Sequence, residues 1–149
     1  YSMTGWRLGY GLVPSFLAEA FELYNVNIAS CACTFNQYGA LAALQGSQDC
    51  VELMVNEFKS RRDYLVDALN EINGFHCLKP SGAFYAFPNI KETGKSASQL
   101  AGEILKNAGI AVLAGSSFGK EGEGYLRLSY ATSLDNLKIA CERLKQYAD

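Results

Sequence analysis

The sequence predicts an α/β chain ending in a small two-layer α/β domain, with helices on one face of its sheet. Three observations carry this. Apolar residues alternate over 75–79, 83–87 and 125–133, and 110–114 is a compact apolar run, as in half-buried or buried strands. Segments with helical spacing and local stop signals lie before and between them. From residue 75 the order is strand, strand, helix, strand, strand, helix, which suits one sheet with helices packed on it.

The first stretch, 1–14, is glycine-rich. Trp6, Leu8, Tyr10 and Leu12 alternate against Arg7, Gly9, Gly11 and Val13, so a short strand is expected. Glycines on one side of a strand let a backbone or a ligand come close, and Arg7 lies on that side. The bland alternative is a solvent-facing Arg beside a bulge. After Pro14 a helix is expected over 15–29, with Phe16, Leu17, Ala20, Phe21 and Tyr24 inward. Residues 31–35 read as irregular. A second, Ala-rich helix spans 36–45 and stops at Gly46. One strand and two helices cannot close a sheet, so 1–46 is expected to be the remnant of a larger α/β layer.

Ser47 is placed to cap a long helix that ends near Asn73, with Gly74 at the stop position. Val51, Met54, Val55, Phe58, Leu65, Ala68, Leu69 and Ile72 form its apolar stripe. At ~1.5 Å per residue it is about 39 Å long, so 47–74 is expected to bridge two domains. The charged run 59–63 reads as a solvated turn of that helix. The C-terminal domain then occupies 75–149. Strands 75–79 and 83–87 are joined by Pro80-Ser81-Gly82, a turn signal. Residues 89–95 form a loop. Ser96 to Gln99 resembles a capping box opening a helix that Gly109 ends. A strand over 110–114 leads into 115–124, read as a flexible loop with four glycines. That loop lacks phosphate-loop spacing. Thr132 or Ser133 caps the last helix, with Leu137, Ile139, Ala140, Leu144 and Tyr147 inward.

Within 125–133, Tyr125, Arg127, Ser129 and Ala131 share one face, and Leu126, Leu128 and Tyr130 share the other. Both faces carry bulky apolar or aromatic groups, so Arg127 has limited access to water. A guanidinium in such a place needs an anion, and its planar fork suits a carboxylate. An internal salt bridge, or an edge-strand Arg reaching solvent, would satisfy it equally.

Composition narrows the function. The chain has 149 residues, 49% hydrophobic and 19% charged, with a net charge of −2, so it is globular and carries no basic footprint for nucleic acid. No apolar run reaches the length of a membrane span, and no signal peptide is read. The chain opens on Tyr1, so a piece of something longer is expected. The five cysteines (Cys31, Cys33, Cys50, Cys77, Cys141) are odd in number and irregularly spaced, and are expected to be free, mostly buried thiols in a reducing cytoplasm. One histidine, His76, and one close cysteine pair make a metal site or a histidine-based nucleophilic mechanism a poor fit.

Three stretches carry a resemblance. Tyr1-Ser-Met-Thr-Gly-Trp-Arg-Leu-Gly-Tyr10 resembles the segment just after the Schiff-base lysine of fold-type I pyridoxal-phosphate aminotransferases of class I/II, the aspartate aminotransferase type. Pro80-Ser-Gly-Ala-Phe-Tyr85 and Tyr125 to Ser133 resemble two further signatures of that class. Residues 108–115 match the strand and loop between them, with Ala114 where the family usually has Pro. The cysteines at 31 and 33 replace commoner residues of a loop near the subunit interface.

The resemblance implies the C-terminal part of the pyridoxal-phosphate-dependent transferase fold. It implies pyridoxal 5'-phosphate as cofactor and transfer of an amino group from an α-amino acid to a 2-oxo acid. Arg7 corresponds to the arginine that pairs with the cofactor phosphate, and Arg127 to the one that grips the substrate α-carboxylate. Phe84 and Tyr85 lie near the substrate side in relatives and are read here as core. No catalytic residue falls within the chain: the Schiff-base lysine is expected just upstream of Tyr1. The chain alone is therefore expected to be inactive without the N-terminal part of the same protein. The complete protein is expected to be a cytoplasmic homodimer without nucleic-acid or membrane partners. A non-catalytic regulatory or binding module of aminotransferase type, or a sister enzyme of β-lyase or cyclase type, would carry the same signatures.

Overall fold

The structure is a computed structural model and describes residues 1–148. The chain divides into two compact units, one from Tyr1 to Leu53 and one from Met54 onward.

The first unit is helical. Thr4–Trp6 forms a 3-10 turn, helix α1 spans Ala18–Ala29 after a 3-10 turn over Ser15–Leu17, and helix α2 spans Thr34–Gln45. Helix α3, Asp49–Asn70, begins here. The strand expected around Trp6 to Val13 does not form. A strand needs a neighbour to take its ladder hydrogen bonds, and this unit has none among the described residues. The stretch is instead tied to α2. The Asn36 side-chain amide donates to the Trp6 carbonyl at 2.7 Å. The Trp6 ring lies where a Cβ on Gly39 would be, so glycine is required there for the contact. The two predicted helices are present, and Gly46 follows α2 as expected. Their apolar residues do not face an interior: Phe16, Phe21 and Tyr24 are exposed, because no sheet within this unit covers them.

The second unit holds the core. Leu65, Val66 and Leu69 of α3 pack with Ile90, Leu100, Ile104, Leu126, Tyr130 and Leu144. The buried stripe differs slightly from the expected one: Val66 is buried and Val55 is exposed. Helix α3 also stops at Asn70, short of Asn73, and Gly74 then takes a left-handed φ of 81° in the turn that follows. The charged run on α3 is solvated only in part: Lys59 and Ser60 are exposed, whereas Arg61, Arg62 and Asp63 are partly buried and ion-paired. Arg62 pairs with Asp63 at 2.7 Å, Lys79 reaches Asp63 at 3.3 Å, and Arg61 pairs with Glu57 at 2.8 Å. Asp63 is held below the ordinary carboxylate range, first by its bond to Arg62.

Three strands form the sheet: β1 (Tyr85–Ala86), β2 (Leu113–Ala114) and β3 (Leu126–Ser129), in the order β1-β3-β2 with antiparallel pairs. The class is α+β. The expected strand at 75–79 shrinks to a single bridge between His76 and Asn89, and no hairpin forms across Pro80 to Gly82. Side chains of α3 replace the missing ladder. Asn70 bonds both backbone groups of Cys77, and Arg62 donates to the Pro80 carbonyl at 3.2 Å.

Helix α4 (Ala97–Ala108) starts and stops as expected. Ser96 Oγ accepts from the Gln99 N–H at 3.2 Å, and Gly109 closes it at φ 67°. The capping box is half made, because the Gln99 side chain bonds Glu103. Ser133 caps helix α5 (Leu134–Ala148), accepting from the Asn136 N–H. On α5 Cys141 is buried, while Ile139, expected inward, is exposed. All five cysteines are free. Cys77 and Cys141 are buried but Cys31, Cys33 and Cys50 are exposed, against the expectation of mostly buried thiols. Burial pushes the Cys141 thiol up to about 11.

Candidate functional site

Strand β3 is the centre of the sheet and carries Arg127. Leu126 and Leu128, on either side of it in sequence, are buried in the core. Alternation therefore turns Arg127 to the opposite, half-open face. Leu113 lies directly across from Arg127 on β2, and Tyr85 lies across from Ser129 on β1. Tyr85 is thus a diagonal neighbour of Arg127, within reach of a long side chain.

The guanidinium carbon of Arg127 sits 4.3 Å from the centre of the Tyr85 ring and 4.2 Å from that of Phe118. Both rings therefore lie within cation–π reach of the guanidinium, and neither takes up one of its N–H donors. Among the described residues, no carboxylate lies within ion-pair distance of Arg127 and no carbonyl accepts from its side chain. The internal salt bridge that the sequence allowed is absent there.

Phe118 reaches Arg127 because the glycine-rich loop that carries it is folded into turns. The loop folds into 3-10 turns over Gly115–Phe118 and Lys120–Gly122. The Gly115 N–H donates to the Tyr125 carbonyl at 2.8 Å. A Cβ on Gly115 would collide with the Gly122 carbonyl oxygen, and one on Gly122 with the backbone of Gly115. Only glycine at both positions permits this approach. Phe87 braces the assembly, edge-on to Phe118 with centroids 6.5 Å apart and stacked on Tyr125 at 5.3 Å.

Arg7 lies in the first unit. It ends the Thr4–Trp6 turn in a left-handed conformation, φ 51° and ψ 40°, which costs a non-glycine residue about 1 kcal/mol or more. Its side chain is exposed and has no acidic partner within ion-pair distance among the described residues. Nothing lies within 4 Å of a Cβ built on Gly5 or Gly9, so the backbone around Arg7 is open. Both predicted site residues are therefore guanidiniums without a carboxylate partner among the described residues. They belong to different units.

Sequence reasoning missed the rings. Tyr85, expected in the core, is half-exposed, and nothing local in the sequence marks Phe118. The pairing register would have pointed to Tyr85. Phe118 depends on a backbone approach that no local pattern reveals.

The model of the family described as aminotransferase class I and II matches residues 1–144. The chain belongs to the class I and II aminotransferases. Members of this family depend on pyridoxal phosphate. The chain is 43% identical to an aspartate aminotransferase of Pyrococcus abyssi over 98% of its length, and 42% identical to aromatic-amino-acid aminotransferase 2 of Thermococcus litoralis, also over 98%. It spans 38% of each of those relatives. The crystal structure of an aromatic aminotransferase from Pyrococcus horikoshii superposes with a TM-score of 0.91 at 43% identity, covering 97% of this chain and 39% of that one.

Proposed function

We propose that this chain is the C-terminal portion of an aminotransferase that moves an amino group from an α-amino acid to a 2-oxo acid. In this reading Arg127 receives the substrate α-carboxylate and Arg7 the cofactor phosphate. The observation that carries it is the state of Arg127: a half-buried guanidinium against two aromatic rings, with no anionic partner among the described residues. Removing such a cation from water is costly unless an anion completes it, and a carboxylate fits its N–H edge with two parallel hydrogen bonds. The substrate class follows from that fit. The relatives' names, aspartate and aromatic, leave the side chain of the amino acid open.

The residues present fit one end of pyridoxal phosphate. Arg7 offers a charged donor beside open glycine backbone, which suits a phosphate. When bound, the cofactor supplies an electron-poor ring that takes up the electron pair left when an amino acid loses its α-proton. Arg127 orients the amino acid so that this proton faces whichever base removes it. The first lysine in the sequence is Lys59, so no lysine in the first unit can anchor the cofactor or shuttle that proton. We therefore read the chain by itself as inactive and the remaining portion of the enzyme as the source of the lysine. The coverage of 38% of the relatives supports this. The complete enzyme in this reading is a cytoplasmic homodimer.

The test is to add pyridoxal phosphate, a panel of amino acids and 2-oxoglutarate to the purified chain and follow new amino and oxo acids. No turnover above free cofactor is expected from the chain, with turnover in the complete enzyme. Turnover by the chain alone well above free cofactor overturns the reading.

A further inference from the structure

We infer that Tyr85 and Phe118 are positioning residues for the carboxylate site: their rings hold the Arg127 guanidinium in one plane, so that its edge meets a carboxylate already aligned. The inference rests on the reading of Arg127 as the carboxylate-binding residue and names the groups that make it work.

The argument starts from the freedom of an arginine. Its long side chain has several rotatable bonds, and ordering it on binding costs free energy that is subtracted from affinity. A guanidinium already immobilised avoids that cost. Acidic neighbours would immobilise it too, but they would occupy the N–H edge and compete with the substrate. Aromatic faces attract the cation without consuming a donor. Contacts at 4.3 Å and 4.2 Å on the two rings therefore restrain the group and leave its donors free.

Each ring is itself supported. Tyr85 is on β1 and packs against Phe84 at 4.4 Å between centroids. Phe118 is held by Phe87, and its loop by the Gly115–Gly122 approach. A loop packed this closely, with a surface phenylalanine at 51% exposure resting on a cation, has little purpose as a plain connection between strands. It presents a ring.

The test has two arms. In the 149-residue chain, NMR of the arginine side chains should show the Arg127 δ-methylene and Nε–H shifted upfield of those of Arg7 and Arg143 by the ring currents, with a rigid Nε–H. Phe118→Leu and Tyr85→Leu should each move these signals toward the free-arginine position while the backbone amide spectrum of the core stays in place. Phe118→Tyr and Tyr85→Phe keep a π face and should preserve them. Arg127 signals that are mobile and unshifted in the unaltered chain overturn the inference.

In the complete enzyme, Phe118→Leu and Tyr85→Leu should each raise the KM for the 2-oxo acid by about tenfold, with kcat within about a factor of two, and Phe118→Tyr and Tyr85→Phe should restore it. Loss of kcat with KM unchanged, or failure of both ring-preserving variants to rescue, overturns the inference. Arg127→Gln separates it from the reading beneath. If Arg127→Gln raises KM strongly and the two leucine variants do not, the positioning role alone fails. If Arg127→Gln leaves KM unchanged, the carboxylate reading fails and takes the inference with it, whatever the spectra show.

Discussion

Asn70 and Cys77 exchange two hydrogen bonds: the side-chain amide of Asn70 donates to the Cys77 carbonyl at 3.0 Å, and its oxygen accepts from the Cys77 N–H at 2.8 Å. A side chain at the end of α3 thus does for Cys77 what a neighbouring strand does elsewhere. Asn70→Ala leaves a backbone donor and acceptor without partners beside the core. Each such group costs ~1–3 kcal/mol when buried, and Cys77 is buried, so a loss of about 2 kcal/mol is expected. Urea unfolding of the chain measures it. A change below about 0.5 kcal/mol would mean that water replaces the side chain.

Glu103 lies at the centre of a polar cluster. Lys95 Nζ approaches it at 2.6 Å, the Tyr147 hydroxyl donates to it at 2.6 Å, and Gln99 donates at 2.9 Å. Its carboxyl is lowered from 4.5 to about 2, first by the Lys95 bond and then by those from Tyr147 and Gln99. A depressed carboxyl stabilises the folded state above its unfolded value and loses that contribution as pH falls through the folded one. The expected window is therefore pH 4.5 down to about 2. Lys95 is raised by the same pairing, so its share is present at neutral pH and is lost only above 10.5. Urea midpoints should show the unaltered chain more stable than Glu103→Gln at pH 7, with the gap closing across the acidic window. A gap that persists unchanged at the acid end would refute the linkage.

Ala83 has a left-handed φ of 61° and is exposed. Its carbonyl accepts from the buried Tyr130 hydroxyl at 3.0 Å, which fixes the turn before β1. A left-handed alanine costs ~1–2 kcal/mol, and glycine gives back part of that in unfolded-chain entropy. Ala83→Gly should therefore raise stability by about 0.5 kcal/mol, read as a higher urea midpoint. A lower midpoint would mean that the methyl group makes a contact worth more than the strain.

What the sequence disclosed follows the range of the forces involved. Helix ends were legible where one residue decides them: Gly46 after α2, and Ser96 and Gly109 around α4, act through their own backbone or a bond three residues away. Strands were less so, because a strand is defined by its partner. Residues 75–79 alternate properly, yet Asn70 answers Cys77 in place of a ladder. The Trp6 to Val13 alternation finds no strand to pair with within its unit. The candidate arginines were visible as residue types, and the alternation around Arg127 correctly set its face against Leu126 and Leu128. The rings that hold it were hidden, since Phe118 arrives through the Gly115–Gly122 contact, which is not local.

Exchanging each candidate arginine for lysine in the complete enzyme sets the two proposed roles against each other. Arg127→Lys keeps the charge but loses the planar fork that meets both carboxylate oxygens and rests against Tyr85 and Phe118. Two charge-assisted hydrogen bonds reduced to one should raise the KM for amino and oxo acids by about 30-fold or more, with cofactor affinity changed less than about threefold. Arg7→Lys should do the reverse. Lysine binds phosphate as a point charge, and the left-handed turn at Arg7 is unaffected by the exchange, so cofactor affinity should fall by only about tenfold and substrate KM should hold. Spectroscopic titration with pyridoxal phosphate and steady-state kinetics on the same preparations give both quantities. Equal losses of cofactor and substrate affinity in either variant would show that the two guanidiniums do not divide the work between phosphate and carboxylate.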